Sequence, residues 1–169
     1  LSTGGTARLL RDSGIEVTDV SDFTGFPEMM NGRVKTLHPK VHGAILGRRG
    51  VDDAEAAENG VEWIDVVAVN LYPFVESLSL NLSTSEMIER IDIGGPTMIR
   101  SAAKNHESVL VVCDPSDYAK GIQLLSSESG SPQLEQRKAF ALRAFEHTAH
   151  YDAVISAWLR RLVAPATPS

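Results

Sequence analysis

Ser2-Thr3-Gly4-Gly5-Thr6 places two glycines among three hydroxyl side chains, directly ahead of a helical pattern. Helix N-termini present unpaired N–H groups and the positive end of a dipole, and glycine lets the backbone approach a phosphate closely. Thr3 and Thr6 would add donors. The segment is neither a Walker loop nor a G-x-G-x-x-G fingerprint, and an ordinary glycine turn with a threonine cap has the same spacing. A second cluster is Gly32-Arg33-Val34-Lys35-Thr36-Leu37-His38-Pro39. In an extended segment Arg33 and Lys35 point to one side; Arg33 can fork onto a phosphate, and Lys35 is a point charge. A solvated basic turn is the plainer alternative.

Ile91-Asp92-Ile93-Gly94-Gly95-Pro96-Thr97 sets a carboxylate just before a Gly-Gly turn and a helix start. The N–H groups of Gly94 and Gly95 could meet a developing oxyanion; equally, Asp92 could be only a local cap. Asn70-Leu71-Tyr72-Pro73-Phe74 follows an apolar run, and ligands of open parallel sheets bind beyond the carboxyl ends of strands. Tyr72 is thus positioned to donate a proton, or it is a packed surface phenol. Other residues carry less. His38 and His42 are separated by Pro39 and have no Glu or Cys to complete a set, so no metal is expected. His147 and His150 read as structural, and Cys113, preceded by Val111 and Val112, as a buried inert thiol.

The elements that must position these groups alternate. Residues 6–13 read as a short helix stopped by Gly14, and residues 14–20 as a half-buried strand of period two. Residues 21–41 read as a long functional loop, and residues 42–46 as a short helix or strand. Two apolar runs, 63–69 and 108–113, suit parallel strands covered on both faces. Ser83 and Glu86 form a capping box for a helix through Arg90; Pro96 starts another that carries Thr97 to Lys104. Ser116 is the expected N-cap of a helix to about Leu125, and residues 126–131 a polar linker. A last helix, with at most one break, spans Pro132 to about Leu162, with its apolar stripe at Leu134, Ala141, Phe145, Ala149, Ile155, Trp158 and Leu162. Strands alternating with helices imply an α/β fold with a parallel sheet.

Composition narrows the partners. With 169 residues the chain can bury a real core as one domain, residues 1–162, followed by a tail or linker at 163–169. A net charge of −6 argues against nucleic acid, though not against a small anionic ligand in a locally positive pocket. No apolar run suits a membrane span, and one cysteine forms no internal disulfide; the expected compartment is the cytoplasm.

The motifs, in their order, closely resemble the IMP cyclohydrolase domain of the bifunctional AICAR transformylase/IMP cyclohydrolase family. Ser-Thr-Gly-Gly-Thr, Thr24-Gly25-Phe26-Pro27-Glu28-Met29, Gly-Arg-Val-Lys-Thr-Leu-His-Pro, Asn-Leu-Tyr-Pro-Phe and Asp-Ile-Gly-Gly-Pro-Thr-Met-Ile-Arg-Ser-Ala-Ala-Lys-Asn-His carry the resemblance, which runs from Leu1 to about Trp158. It implies a methylglyoxal synthase-like fold, a parallel sheet with helices on both faces. It also implies closure of formyl-AICAR to IMP with loss of water, the last step of purine synthesis, with neither metal nor organic cofactor. Lys35, Tyr72, Asp92 and Lys104 match catalytic positions, with Lys104 expected to keep Asp92 ionised and placed. Thr3, Gly5, Thr6, Arg33 and Thr36 match substrate-binding positions, as do Asn70, Ile93, Gly94 and Gly95.

The resemblance further implies a purine nucleotide as partner, and a homodimer in the full-length bifunctional enzyme. The family's first strand and its Ser-Val-Ser-Asp-Lys-Thr-Gly loop precede the matched region, so the chain is expected to be a fragment without an N-terminal βα unit. Formyl transfer is not expected from this chain. A regulatory module that binds a phosphorylated metabolite without turnover is the alternative from a different class. An inert fragment, prone to aggregate through exposed sheet, is a third.

Overall fold

The computed structural model describes residues 1–127 and 130–163, and these divide into two compact units, Leu1–Ile64 and Asp65 onward.

In the first unit α1 (Gly4–Asp12) starts behind an extended Thr3 and ends at Ser13. Gly14, at φ +78°, turns the chain away from it. The strand expected over residues 14–20 reduces to one parallel bridge, Ser2 with Asp19. The Ser2 N–H donates to the Thr18 carbonyl at 3.0 Å and its own carbonyl accepts from Val20 at 3.1 Å. Pairing stops there because helices start at Gly4 and Val20 on either side. The expected long loop is also interrupted, by α2 (Val20–Thr24) and by the start of α3 (Pro39–Leu46). The ambiguous residues 42–46 are therefore helical. Pro39 suits the first helical position, and the His38 Nδ1 caps the helix by accepting the Lys40 N–H at 3.1 Å. α4 (Asp53–Glu58) follows; it has no counterpart in the sequence reading. Ala7, Val20, Val41, Ala44, Ile45 and Ala56 are buried here. Gly47 carries no side chain because a Cβ would lie 2.2 Å from the Trp63 ring.

The second unit is built on a parallel pair, β1 (Val66–Ala68) and β2 (Leu110–Val112), in register Val66–Leu110, Val67–Val111 and Ala68–Val112. Both apolar runs thus form strands, each shorter than expected. β2 is buried throughout, as its unbroken apolar run requires, whereas Val66 and Ala68 of β1 are exposed. Short helices α5 (Phe74–Ser77) and α6 (Thr84–Ile88) follow β1, and the Ser83–Glu86 capping box forms as expected.

α7 (Gly94–Lys104) begins two residues before Pro96, because Asp92 accepts the Gly95 N–H and closes the first turn early. After β2, Asp114 rather than Ser116 is the capping group: its carboxylate accepts the Ser116 N–H at 2.8 Å and opens a 3-10 turn, Pro115–Asp117. α8 (Tyr118–Leu125) continues from that turn. α9 (Leu134–Val163) is unbroken over 30 residues. It packs against α7, β2 and α5, and Phe140, Ala141, Ala144, Thr148, Tyr151 and Ile155 are its buried residues.

The expected stripe is therefore partly misplaced, since Leu134, Phe145, Ala149 and Leu162 are exposed. Phe145 instead carries the Arg100 guanidinium over its face at 5.3 Å. Phe74, Met87, Tyr151 and Ile155 form a core cluster against which Leu71, Ile91 and Trp158 pack. Parts of the expected linker (128–129) and tail (164–169) lie outside the described residues.

Candidate functional site

Two clusters contain most of the residues singled out by sequence. In the first unit, Thr3 gives α1 no side-chain cap. The N–H groups of the first turn of a helix have no acceptor within it, and Gly4, Gly5 and Thr6 hold those positions, all exposed. Gly4 has φ +54°, a left-handed conformation that favours glycine. A Cβ there would stand 3.9 Å from the Lys35 Nζ, so the lysine ammonium lies beside the backbone of the Gly-Gly-Thr segment.

Lys35 is presented by a tight turn. Met29 and Val34 exchange backbone hydrogen bonds at 3.0 and 3.3 Å, and Met30, Asn31 and Gly32 between them have φ +54°, +56° and +82°. Glycine and asparagine tolerate this region, but methionine is disfavoured there. Strain of this kind collects at functional sites. At Gly32 a Cβ would lie 2.9 Å from the Lys35 Cε, so the missing side chain also makes room for the lysine. Glu28 pairs with the Lys35 ammonium at 3.2 Å. Glu28 falls inside a recognised motif, yet nothing in its spacing marks it as this partner. Arg33 is exposed and Thr36 half-buried on the same stretch.

In the second unit Asp92 is held on two sides. Its carboxylate Oδ1 accepts the Gly95 N–H at 2.9 Å, and its own N–H donates to the Tyr151 hydroxyl at 2.9 Å. Gly95 is buried, and a Cβ on it would stand 2.5 Å from the other carboxylate oxygen. The Gly95 N–H is thus committed to Asp92, which leaves Gly94, at the head of α7, as the amide of that pair to meet an oxyanion. The local-cap reading of Asp92 describes a real bond, and that bond orients the carboxylate. Tyr72 is 59% exposed, as a proton donor to a ligand must be. Asn70 accepts the Tyr118 hydroxyl at 2.9 Å, which ties the segment after β1 to α8. Ile93 is exposed beside Asp92.

Lys104 does not join this cluster. It ends α7, and Asp92 precedes the helix's first residue; 11 residues rise about 16 Å. That separation exceeds a lysine side chain's reach, so the expected support of Asp92 by Lys104 is corrected. Gly95 and Tyr151 take that place within the chain. Tyr151 escaped the sequence reading because it lies 59 residues from Asp92, as one of several apolar positions along α9.

Burial adjusts several acidities. It pushes the Cys113 thiol up to about 11, helped by the negative charges of Asp117 and Asp114, so the thiol is protonated and inert at neutral pH. Asp117 is itself buried and paired with Arg143. Burial also raises Tyr151 and lowers His42. Among the described residues no group of three or more His, Cys, Asp or Glu could hold a metal ion, and no helix is long and apolar enough to cross a membrane.

A parallel α/β core with a glycine-rich loop at a helix N-terminus defines a class. Residues 1–97 match the MGS-like domain family, and the chain belongs to that family. Residues 102–168 match the AICARFT/IMPCHase bienzyme family, and the two matches together are consistent with an IMP cyclohydrolase-like domain. Among solved structures, the crystal structure of ForH is 40% identical, with a TM-score of 0.75 over 90% of this chain and 80% of that one.

Proposed function

We propose that this chain closes formyl-AICAR to IMP with loss of water. In that reaction the carboxamide nitrogen attacks the formyl carbon of the same molecule. A C–N bond forms and the carbonyl electron pair moves onto oxygen. That oxygen then leaves as water, with one hydrogen from the carboxamide nitrogen and one from the formamido nitrogen, as a C=N bond to the formamido nitrogen forms in the closed ring. An amide nitrogen is a poor nucleophile, so holding it against the formyl carbon is a large part of the catalysis.

In this reading Thr3, Gly5, Thr6, Arg33 and Thr36 bind the phosphate end, and the Lys35 ammonium meets the oxyanion. Asp92 accepts the carboxamide proton, the Gly94 amide supports the oxyanion, and Asn70 and Ile93 border the substrate. Tyr72 or Lys35 protonates the departing oxygen. Lys104, at the far end of α7 from Asp92, is assigned no step in this scheme.

One observation carries the reading: the Asp92 carboxylate is fixed by the Gly95 amide at 2.9 Å. A module that only senses a phosphorylated metabolite needs the Gly-Gly-Thr loop but no oriented base. The test is an ultraviolet assay of formyl-AICAR conversion to IMP, run beside Lys35→Ala. Removing one oxyanion donor costs about 10²–10³ in rate, and a loss of that size is expected. Saturable binding of the nucleotide with no turnover would favour the regulatory module instead.

A further inference from the structure

We propose that Tyr151 is the positioning residue of Asp92; in its catalytic consequence this rests on the cyclohydrolase reading above. The Tyr151 hydroxyl accepts the Asp92 N–H at 2.9 Å and donates to the Arg90 carbonyl at 3.3 Å. One phenol oxygen therefore holds the backbone on both sides of Ile91. Neither backbone group belongs to a helix or strand, so the side chain takes the place of a ladder partner. The residues that follow are Ile93 and the two glycines, a stretch with little stiffness of its own.

Tyr151 is suited to this because it is rigidly set. It is 7% exposed, on the 30-residue α9. Its ring meets Phe74 edge-on with centroids 6.3 Å apart, inside the cluster that includes Met87 and Ile155. α9 also packs against α7, the helix whose Gly95 N–H donates to Asp92. The position of the carboxylate is thereby referred to the unit's core rather than to its own loop. Without the hydroxyl, the Asp92 N–H loses its acceptor, the loop relaxes, and the carboxylate no longer meets the Gly95 amide in one geometry. Displacement of a reacting group by about an ångström can cost 10²-fold in rate.

Tyr151→Phe removes the oxygen and keeps the ring in its packing. Two readouts follow from it. In ¹⁵N-labelled protein, the Asp92 and Gly95 amide resonances should shift and exchange faster, while the β2 amides remain protected. In the formyl-AICAR assay, kcat should fall roughly 10- to 10²-fold with KM changed less than about twofold, a split that general loosening of the fold would not produce. Gly95→Ala, which displaces the same carboxylate from its other side, should repeat that split and serves if Tyr151→Phe does not fold.

Unchanged kcat in folded Tyr151→Phe overturns the proposal even if the amides shift. If the wild-type chain itself does not turn over, the cyclohydrolase reading fails. The positioning claim then stands or falls on the amides, and a Gly95 resonance unmoved by Tyr151→Phe overturns it.

Discussion

The two units of this chain prepare their functional groups by opposite means. In Leu1–Ile64 the preparation lies in backbone conformation near the surface. Gly4 is left-handed ahead of a helix, and Met30, Asn31 and Gly32 are left-handed in succession before Lys35. In Asp65 onward it lies in side-chain hydrogen bonds anchored to a core, with Tyr151 and Gly95 holding Asp92. The difference matches the partners that each group would meet. A phosphate can be held by exposed amides, since charge and close approach matter more than a single angle. A base that must meet one proton requires a single geometry, and buried, fully satisfied polar groups provide it.

The contrast yields predictions of decreasing size. Asp92→Asn should produce the largest effect, a fall in kcat of about 10²–10⁴ from loss of the base. Its thermal midpoint should barely move, because the asparagine oxygen can still accept the Gly95 N–H. Near-normal turnover would remove Asp92 from the chemistry.

Gly32→Ala tests the other strategy. A left-handed non-glycine residue costs about 1–2 kcal/mol, and the new Cβ would meet the Lys35 Cε at 2.9 Å. A lower denaturation midpoint and weaker binding of IMP are expected together. Unchanged IMP affinity would show that this turn does not place Lys35.

The smallest effect lies outside both clusters. Hydrogen bonds from the Arg48 side chain and backbone hold the Asp52 carboxyl at about 2, below its usual 3.8. A depressed folded-state pKa stabilises above the unfolded value, and that contribution disappears as pH falls through the folded one. The thermal midpoint of the wild type should therefore exceed that of Asp52→Asn slightly at pH 5, and the gap should shrink as pH falls from about 4 through 2. A gap undiminished at pH 2 would show that the pair is not its source.

Much of this arrangement is legible in the residues themselves. The two strands, the Ser83–Glu86 box, the glycine stop after α1 and the helix carrying Lys104 follow from local propensity and capping, which act over a few residues. Local chemistry also identifies Lys35, Asp92 and the Gly-Gly-Thr loop as candidates. It misleads where a neighbour distant in sequence decides. Residues 14–20 alternate like a strand, but among the described residues the pairing they make is the single bridge with Ser2. The α9 stripe drifts because a helix this long offers several apolar faces, and packing against α7 and β2 selects the one through Ala144, Thr148 and Tyr151.

Sequence alone therefore determined which residue types could do chemistry here and which short elements carry them, since both depend on side-chain identity and near neighbours. Only the tertiary structure decided what holds Asp92. The choice of Tyr151 over Lys104 depends on the axial rise of α7 and on a hydrogen bond across 59 residues, and no local pattern encodes a distance of that kind.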